Sequence, residues 1–158
     1  MMTEELARAV VERLKAQKKT LATAESCTGG GIGHALTAVP GSSAVYLGGV
    51  ISYTNGVKEK LLGVPHEILE TFGAVSPETA QAMAQGVRSA IGSDFALSVT
   101  GLAGPDGDGS GKPVGLVYTG CCTQHAVAIQ EHHFHGSRQS VREQAVQAAL
   151  ELALTLLP

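Results

Sequence analysis

The chain has 158 residues, enough for one core that needs neither disulfides nor a structural metal. A net charge of −3 and a sequence pI near 6.0, with eleven dispersed Lys and Arg, leave no electrostatic footprint for nucleic acid, and 4% aromatics give no base-stacking platform. No apolar run approaches a membrane span, the charged N-terminus is unlike a signal peptide, and three cysteines without a CxxC pair fit a reducing compartment, so the expectation is one cytoplasmic domain over residues 1–158.

Residues Glu4 to Lys18 set Leu6, Val10 and Leu14 four apart among charged residues, the period of an amphipathic helix. Thr20 to Glu25 reads as a short strand, followed by a glycine-loaded helix over Gly29 to Thr37 that stops before the Pro40-Gly41 turn. Val45 to Tyr53 is apolar and β-branched, a strand in which Gly48-Gly49 marks a bulge or a close contact. Short helices are expected over Val57 to Leu62 and Pro65 to Thr71. Ser76-Pro77-Glu78 is a helix start, with a cap, a proline at the first helical position and an acid near the positive dipole end; Ala80, Met83, Ala84, Val87 and Ile91 form its buried stripe.

Asp94 to Thr100 reads as a strand running into Gly101 to Gly111, a loop too glycine-rich for regular structure and of a length that tends to carry function. Val114 to Cys122 and Ala126 to Phe134 form a hairpin turning near Thr123-Gln124-His125, and Ser137 to Leu157 is a long helix. Strands separated by helices, plus one hairpin, predict an α/β fold, a three-layer sandwich with a mostly parallel sheet and one antiparallel strand. Ligands of such sheets bind at the carboxyl ends of the strands, so the loops after Glu25, Tyr53 and Thr100 are expected to converge on a site.

Ser26 stands where the first strand meets the first glycine cluster. Two readings are open there: a helix cap, or a nucleophile beside free backbone N–H groups suited to an oxyanion or a phosphate. Cys27 is a rival nucleophile, because a thiolate gains from a helix start. Glu131, His133 and His135 share one face of the last strand, with His132 on the other. That pattern suits incidental zinc or nickel affinity, or simply a solvated edge strand, since no partner ligands occur elsewhere.

Five motifs stand in order: Thr23-Ala24-Glu25-Ser26-Cys27-Thr28-Gly29-Gly30, Tyr53-Thr54-Asn55-Gly56-Val57-Lys58, Gly73-Ala74-Val75-Ser76, Thr100-Gly101-Leu102-Ala103-Gly104-Pro105-Asp106-Gly107 and Lys112-Pro113-Val114-Gly115. In this combination the chain resembles the CinA C-terminal domain family, whose active members are nicotinamide-nucleotide amidohydrolases, from about residue 5 to 157. The resemblance implies an α/β/α fold with a mixed five-stranded sheet, a stand-alone form without the larger members' N-terminal domain, and a homo-oligomer of at least two subunits. It further implies hydrolysis of the carboxamide of nicotinamide mononucleotide to nicotinate mononucleotide and ammonia, in pyridine nucleotide salvage, with no metal or other cofactor.

The same resemblance assigns roles. Ser26 matches the serine nucleophile and Lys58 the general base, whose pKa must then fall well below its free value of about 10.4. Tyr53 is expected to hydrogen-bond the Ser–Lys pair or the substrate. Backbone N–H groups at Cys27, Thr28, Gly29 and Gly30 are candidates for the oxyanion hole. Thr100, Gly101, Ala103 and Gly104 suit ribose and phosphate, and Arg138 suits the phosphate, with Ser137 standing where the pattern leads one to expect an acid. The motif favours Ser26 over Cys27. The alternative function is a catalytically silent nucleotide-binding or competence-related domain, which would keep the glycine loops but could dispense with Ser26 and Lys58.

Overall fold

A computed structural model describes residues 1–158. Its elements in chain order are α1 (Thr3–Gln17), β1 (Leu21–Glu25), α2 (Gly31–Thr37), β2 (Tyr46–Ile51), α3 (Asn55–Leu62), α4 (His66–Phe72), α5 (Pro77–Ile91), β3 (Phe95–Gly101), β4 (Leu116–Cys122), β5 (Val127–His133) and α6 (Arg138–Leu156). The five strands form one sheet in the order β2-β1-β3-β4-β5, in which β4 alone runs against the others. The chain is an α/β/α sandwich with a mixed, mostly parallel sheet.

The two faces of the sheet are packed differently, and the sequence dictates how. Leu21, Phe95, Leu97, Val99, Val117 and Cys121 face the layer of α1, α2 and α6 in the larger core. The alternate positions, Ala22, Ala24, Ala96 and Cys122, meet α3, α4 and α5. Small side chains there bring α5 close: the Ser98 hydroxyl donates to the carbonyl of Ala80 at 2.7 Å, and a Cβ on Gly120 would collide with that hydroxyl at 2.5 Å. A second close crossing joins α3 to α5, where a Cβ on Gly86 would overlap the carbonyl oxygen of Leu62.

Local chemistry sets the ends of the elements. Ser76 caps α5 through the amide of Thr79 at 3.1 Å, followed by Pro77, and Lys18 closes α1 in the left-handed region at φ 57°. Thr54 caps α3, which begins two residues ahead of the expected Val57. The glycine pair of β2 does accompany a bulge: Leu21 pairs with Tyr46 but Ala22 with Gly48, leaving Leu47 unpaired and half exposed. The hairpin turns over residues 123–126, tied by the Thr123 hydroxyl to the amides of His125 and Ala126.

One expectation needs correcting. Helix α2 starts at Gly31, not Gly29, because Gly29 (φ 58°) and Gly30 (φ 100°) are left-handed and hold the chain in a turn after Ser26. No helix is long and apolar enough to cross a membrane.

Candidate active site

The parallel strands β2, β1 and β3 end side by side, and the chain leaves β1 toward one face and β2 toward the other, so a crevice opens at their carboxyl edge. Ser26 follows β1, Ser52 and Tyr53 follow β2, and Leu102, Ala103 and Gly104 follow β3. Because β5 runs parallel to β3, its exit delivers Arg138, the first residue of α6, to the same edge. These segments enclose a cavity of about 240 Å³ lined by Ser26, Cys27, Tyr53, Lys58, Thr100, Gly101, Ala103, Gly104 and Arg138, with Asp106 and Asp108 at the glycine loop. A larger hollow of about 470 Å³ between α1, α2 and α6 has no serine, cysteine or lysine in its wall.

Lys58 is the most unusual residue of the molecule. It is 1% exposed, and no carboxylate pairs with it. Its ammonium group donates to the Ser52 carbonyl at 2.8 Å, the Ser26 Oγ at 3.2 Å and the Tyr53 carbonyl at 3.5 Å. Ser52 is itself fixed, its amide donating to the Glu25 carbonyl at 2.8 Å. Burial without a counter-charge penalises the charged form and lowers the pKa of Lys58 to about 8. At pH 7 roughly a tenth of the side chain is then neutral, against fewer than about one in a thousand at its ordinary pKa.

Cys27 goes the other way. Burial pushes its thiol up to about 12, outweighing the helpful charges of Arg142 and Lys58, so the thiol stays protonated beside Ser26.

Of the four backbone groups expected at an oxyanion hole, only that of Cys27 belongs to a residue lining the cavity. The amide of Gly29 closes a turn onto the Ser26 carbonyl at 3.1 Å, and those of Ile32 and Gly33 at the start of α2 donate to the Glu25 carboxylate at 2.8 and 3.0 Å. Thr28, Gly29 and Gly30 lie outside the cavity wall, Gly29 against Arg142 and Gly30 against Ile51. The trans peptide between Ser26 and Cys27 has its carbonyl in the turn, so the Cys27 N–H points the opposite way. That N–H and those of Ala103 and Gly104 have no protein acceptor and belong to residues lining the cavity.

Two further expectations shift. Tyr53 is 58% exposed, and its hydroxyl accepts from Arg138 at 3.0 Å; its backbone carbonyl, not its hydroxyl, is what meets Lys58. The Thr100 hydroxyl donates to the Ala74 carbonyl at 2.6 Å and so holds the wall together instead of facing a ligand. Arg138 also donates to the Gly104 carbonyl at 2.6 Å, linking α6 to the glycine loop, and Ser137 caps α6 through the amide of Ser140.

Sequence reasoning passed over three residues. Glu25 is a 2% exposed acid, and its signal was a carboxylate at the end of an otherwise apolar strand, which has to find donors. Arg142, one helical turn after Arg138, holds the carbonyls of Cys27 and Thr28 at 3.0 and 3.3 Å. Ser52 acts through its backbone and left no side-chain signal. Glu131 instead pairs with His133 at 2.9 Å and accepts from Tyr118, while His132 meets Thr119 on the other face and stacks on Phe134. No group of three or more His, Cys, Asp and Glu side chains is placed to hold a metal ion.

An α/β/α sandwich with a serine and a buried lysine lacking a counter-charge at the carboxyl edge of its parallel strands defines the class of protein. The chain belongs to the CinA C-terminal domain family, whose model matches residues 3–157. It is 60% identical over 115 residues, 73% of its length, to a CinA-like protein of Synechococcus sp. strain CC9311, of which it covers 27%. Its fold superimposes on the crystal structure of the competence/damage inducible protein CihA from Agrobacterium tumefaciens with a TM-score of 0.94 at 43% identity, covering 98% of this chain and 94% of that one. A CinA superfamily protein from Klebsiella pneumoniae gives 0.96 at 34% identity, over 99% and 98% of the two chains. The chain thus spans from about a quarter to a third of the length of the curated relatives it matches, and nearly all of the solved ones.

Proposed function

We propose that this protein hydrolyses the carboxamide of nicotinamide mononucleotide to nicotinate mononucleotide and ammonia through an acyl-enzyme on Ser26. The observation that carries this reading is the buried Lys58, its pKa lowered to about 8, within hydrogen-bond distance of a serine hydroxyl. Neutral Lys58 accepts the Ser26 proton as Oγ attacks the carboxamide carbon, and the N–H of Cys27, joined by that of Ala103 or Gly104, stabilises the oxyanion. The Lys58 ammonium then protonates the departing nitrogen, ammonia leaves, and water attacks the ester with Lys58 again taking the proton. Arg138 at the cavity mouth suits the phosphate.

A domain that only bound a nucleotide would have no use for a lysine buried without a counter-ion, since such burial opposes folding at neutral pH. The test is ammonia release coupled to chromatographic detection of nicotinate mononucleotide, using EDTA-treated wild type and Ser26→Ala. Product from the wild type alone supports the reading. Product from both, or from neither, overturns it.

A further inference from the structure

Glu25 has no role in the chemistry just described, yet its side chain makes as many hydrogen bonds as that of Lys58. One carboxylate oxygen accepts from the Thr28 hydroxyl at 2.6 Å and the Ile32 amide at 2.8 Å; the other accepts from the Gly33 amide at 3.0 Å. All three donors lie two to seven residues after Ser26, so the carboxylate ties both ends of the nucleophile turn to the end of β1. The absence of a side chain at Gly33 makes room for this: a Cβ there would meet the Tyr46 hydroxyl at 2.7 Å and come within 3.6 Å of Glu25 itself. From α6, in the same layer as α2, Arg142 holds the carbonyls of Cys27 and Thr28, so the turn is gripped by a second element as well.

We propose that Glu25 is the positioning residue of the site, its carboxylate fixing the Ser26–Gly30 turn so that Ser26 Oγ meets Lys58 and the Cys27 N–H faces the cavity. This rests on Ser26 being the nucleophile. By occupying the first free amides of α2, Glu25 also removes them from competition for an anionic ligand and leaves the Cys27 N–H as the donor beside the nucleophile. Charge-assisted acceptors of this kind hold geometry more tightly than neutral ones, and small displacements of a nucleophile are costly in rate.

The test compares wild type, Glu25→Gln and Thr28→Val in two readouts: steady-state ammonia release from nicotinamide mononucleotide, and the rate of Ser26 labelling by a fluorophosphonate, which forms the Oγ–P bond and expels fluoride. Glu25→Gln keeps the shape but presents an amide N–H₂ to donor amides, so kcat and labelling rate are expected to fall about 10- to 100-fold with KM within about twofold, and the apparent pKa near 8 in the pH profile unmoved. Thr28→Val removes a single donor and is expected to slow both by about 3- to 10-fold. Unchanged labelling and kcat in the two variants overturn the proposal, as does a loss in which KM and the apparent pKa drift together with kcat. If Glu25→Gln does not fold, Thr28→Val decides alone, and wild-type rates in it overturn the proposal. A wild type that is labelled at Ser26 but releases no ammonia sinks the substrate reading while leaving the labelling comparison to judge Glu25.

Discussion

The Nζ of Lys58 lies 3.2 Å from the Oγ of Ser26 although 32 residues separate them, and the lysine is enclosed by oxygens that carry no formal charge. Such a lysine is a base near neutral pH. Its deprotonation should govern the free enzyme, so kcat/KM is expected to rise with pH through an apparent pKa of about 8 and then level off. Lys58→Arg, which stays charged throughout, should abolish that rise together with at least about 100-fold of the rate. A pH–rate profile of both proteins checks this.

The same lowered pKa bears on stability. The unfolded chain keeps the Lys58 proton up to about pH 10.5, whereas the folded chain releases it near pH 8, so this group makes wild-type stability rise across that window. Below it, carrying the charge costs the fold up to about 3 kcal/mol. Lys58→Met is therefore expected to melt higher than wild type at pH 7, with the difference shrinking steadily toward pH 10. Calorimetry or circular-dichroism melts of the pair at matched pH values measure it.

Cys27 adjoins Ser26 but is buried and held protonated, its pKa near 12. Iodoacetamide at pH 8 is expected to leave Cys27 unmodified in the folded protein and to alkylate it readily in denaturant. Peptide mapping by mass spectrometry reads both states. Fast alkylation of the folded protein would reinstate the thiol as a nucleophile.

Arg138 bridges the Gly104 carbonyl and the Tyr53 hydroxyl at the mouth of the cavity. Arg138→Ala should raise KM for nicotinamide mononucleotide about 10- to 100-fold with a smaller change in kcat, because it removes binding common to ground and transition states. For nicotinamide riboside, which lacks the phosphate, the same substitution should change KM little. Steady-state kinetics with the two substrates separate these outcomes.

Gly86 couples the fold to the site. A methyl group there would overlap the Leu62 carbonyl at the end of α3, the helix that carries Lys58, and backbone on both sides leaves nothing soft to yield. Gly86→Ala should therefore destabilise by about 1–3 kcal/mol and lower activity by displacing the base. Urea melts alongside ammonia release check both halves.

Much of this architecture could be read in the residues because its signals are local. The period of Leu6, Val10 and Leu14, the Ser76-Pro77 helix start and the two apolar runs flanking Thr123 to His125 each determine their own element, and the observed bounds of these elements differ by only a few residues. The pairing of Ser26 with Lys58 carried no such signal; it was expected only from the order of the motifs. What escaped was long-range bonding. The left-handed Gly29 and Gly30 delay α2, Glu25 takes its amides, and Tyr53 turns its ring outward to Arg138, all settled by partners distant in sequence or by backbone groups that leave no mark on residue type.

The measurement closest to the centre of these claims is the partition of the reaction in hydroxylamine. An ester on Ser26 is open to any small nucleophile, so the hydroxamate of nicotinate mononucleotide should accumulate at the expense of the acid as hydroxylamine rises, with one ammonia released per total product and neither product formed by Ser26→Ala. Acid alone at every hydroxylamine concentration would mean that water attacks the carboxamide directly, and hydroxamate formed by Ser26→Ala that hydroxylamine does; in either case Ser26 is not the nucleophile.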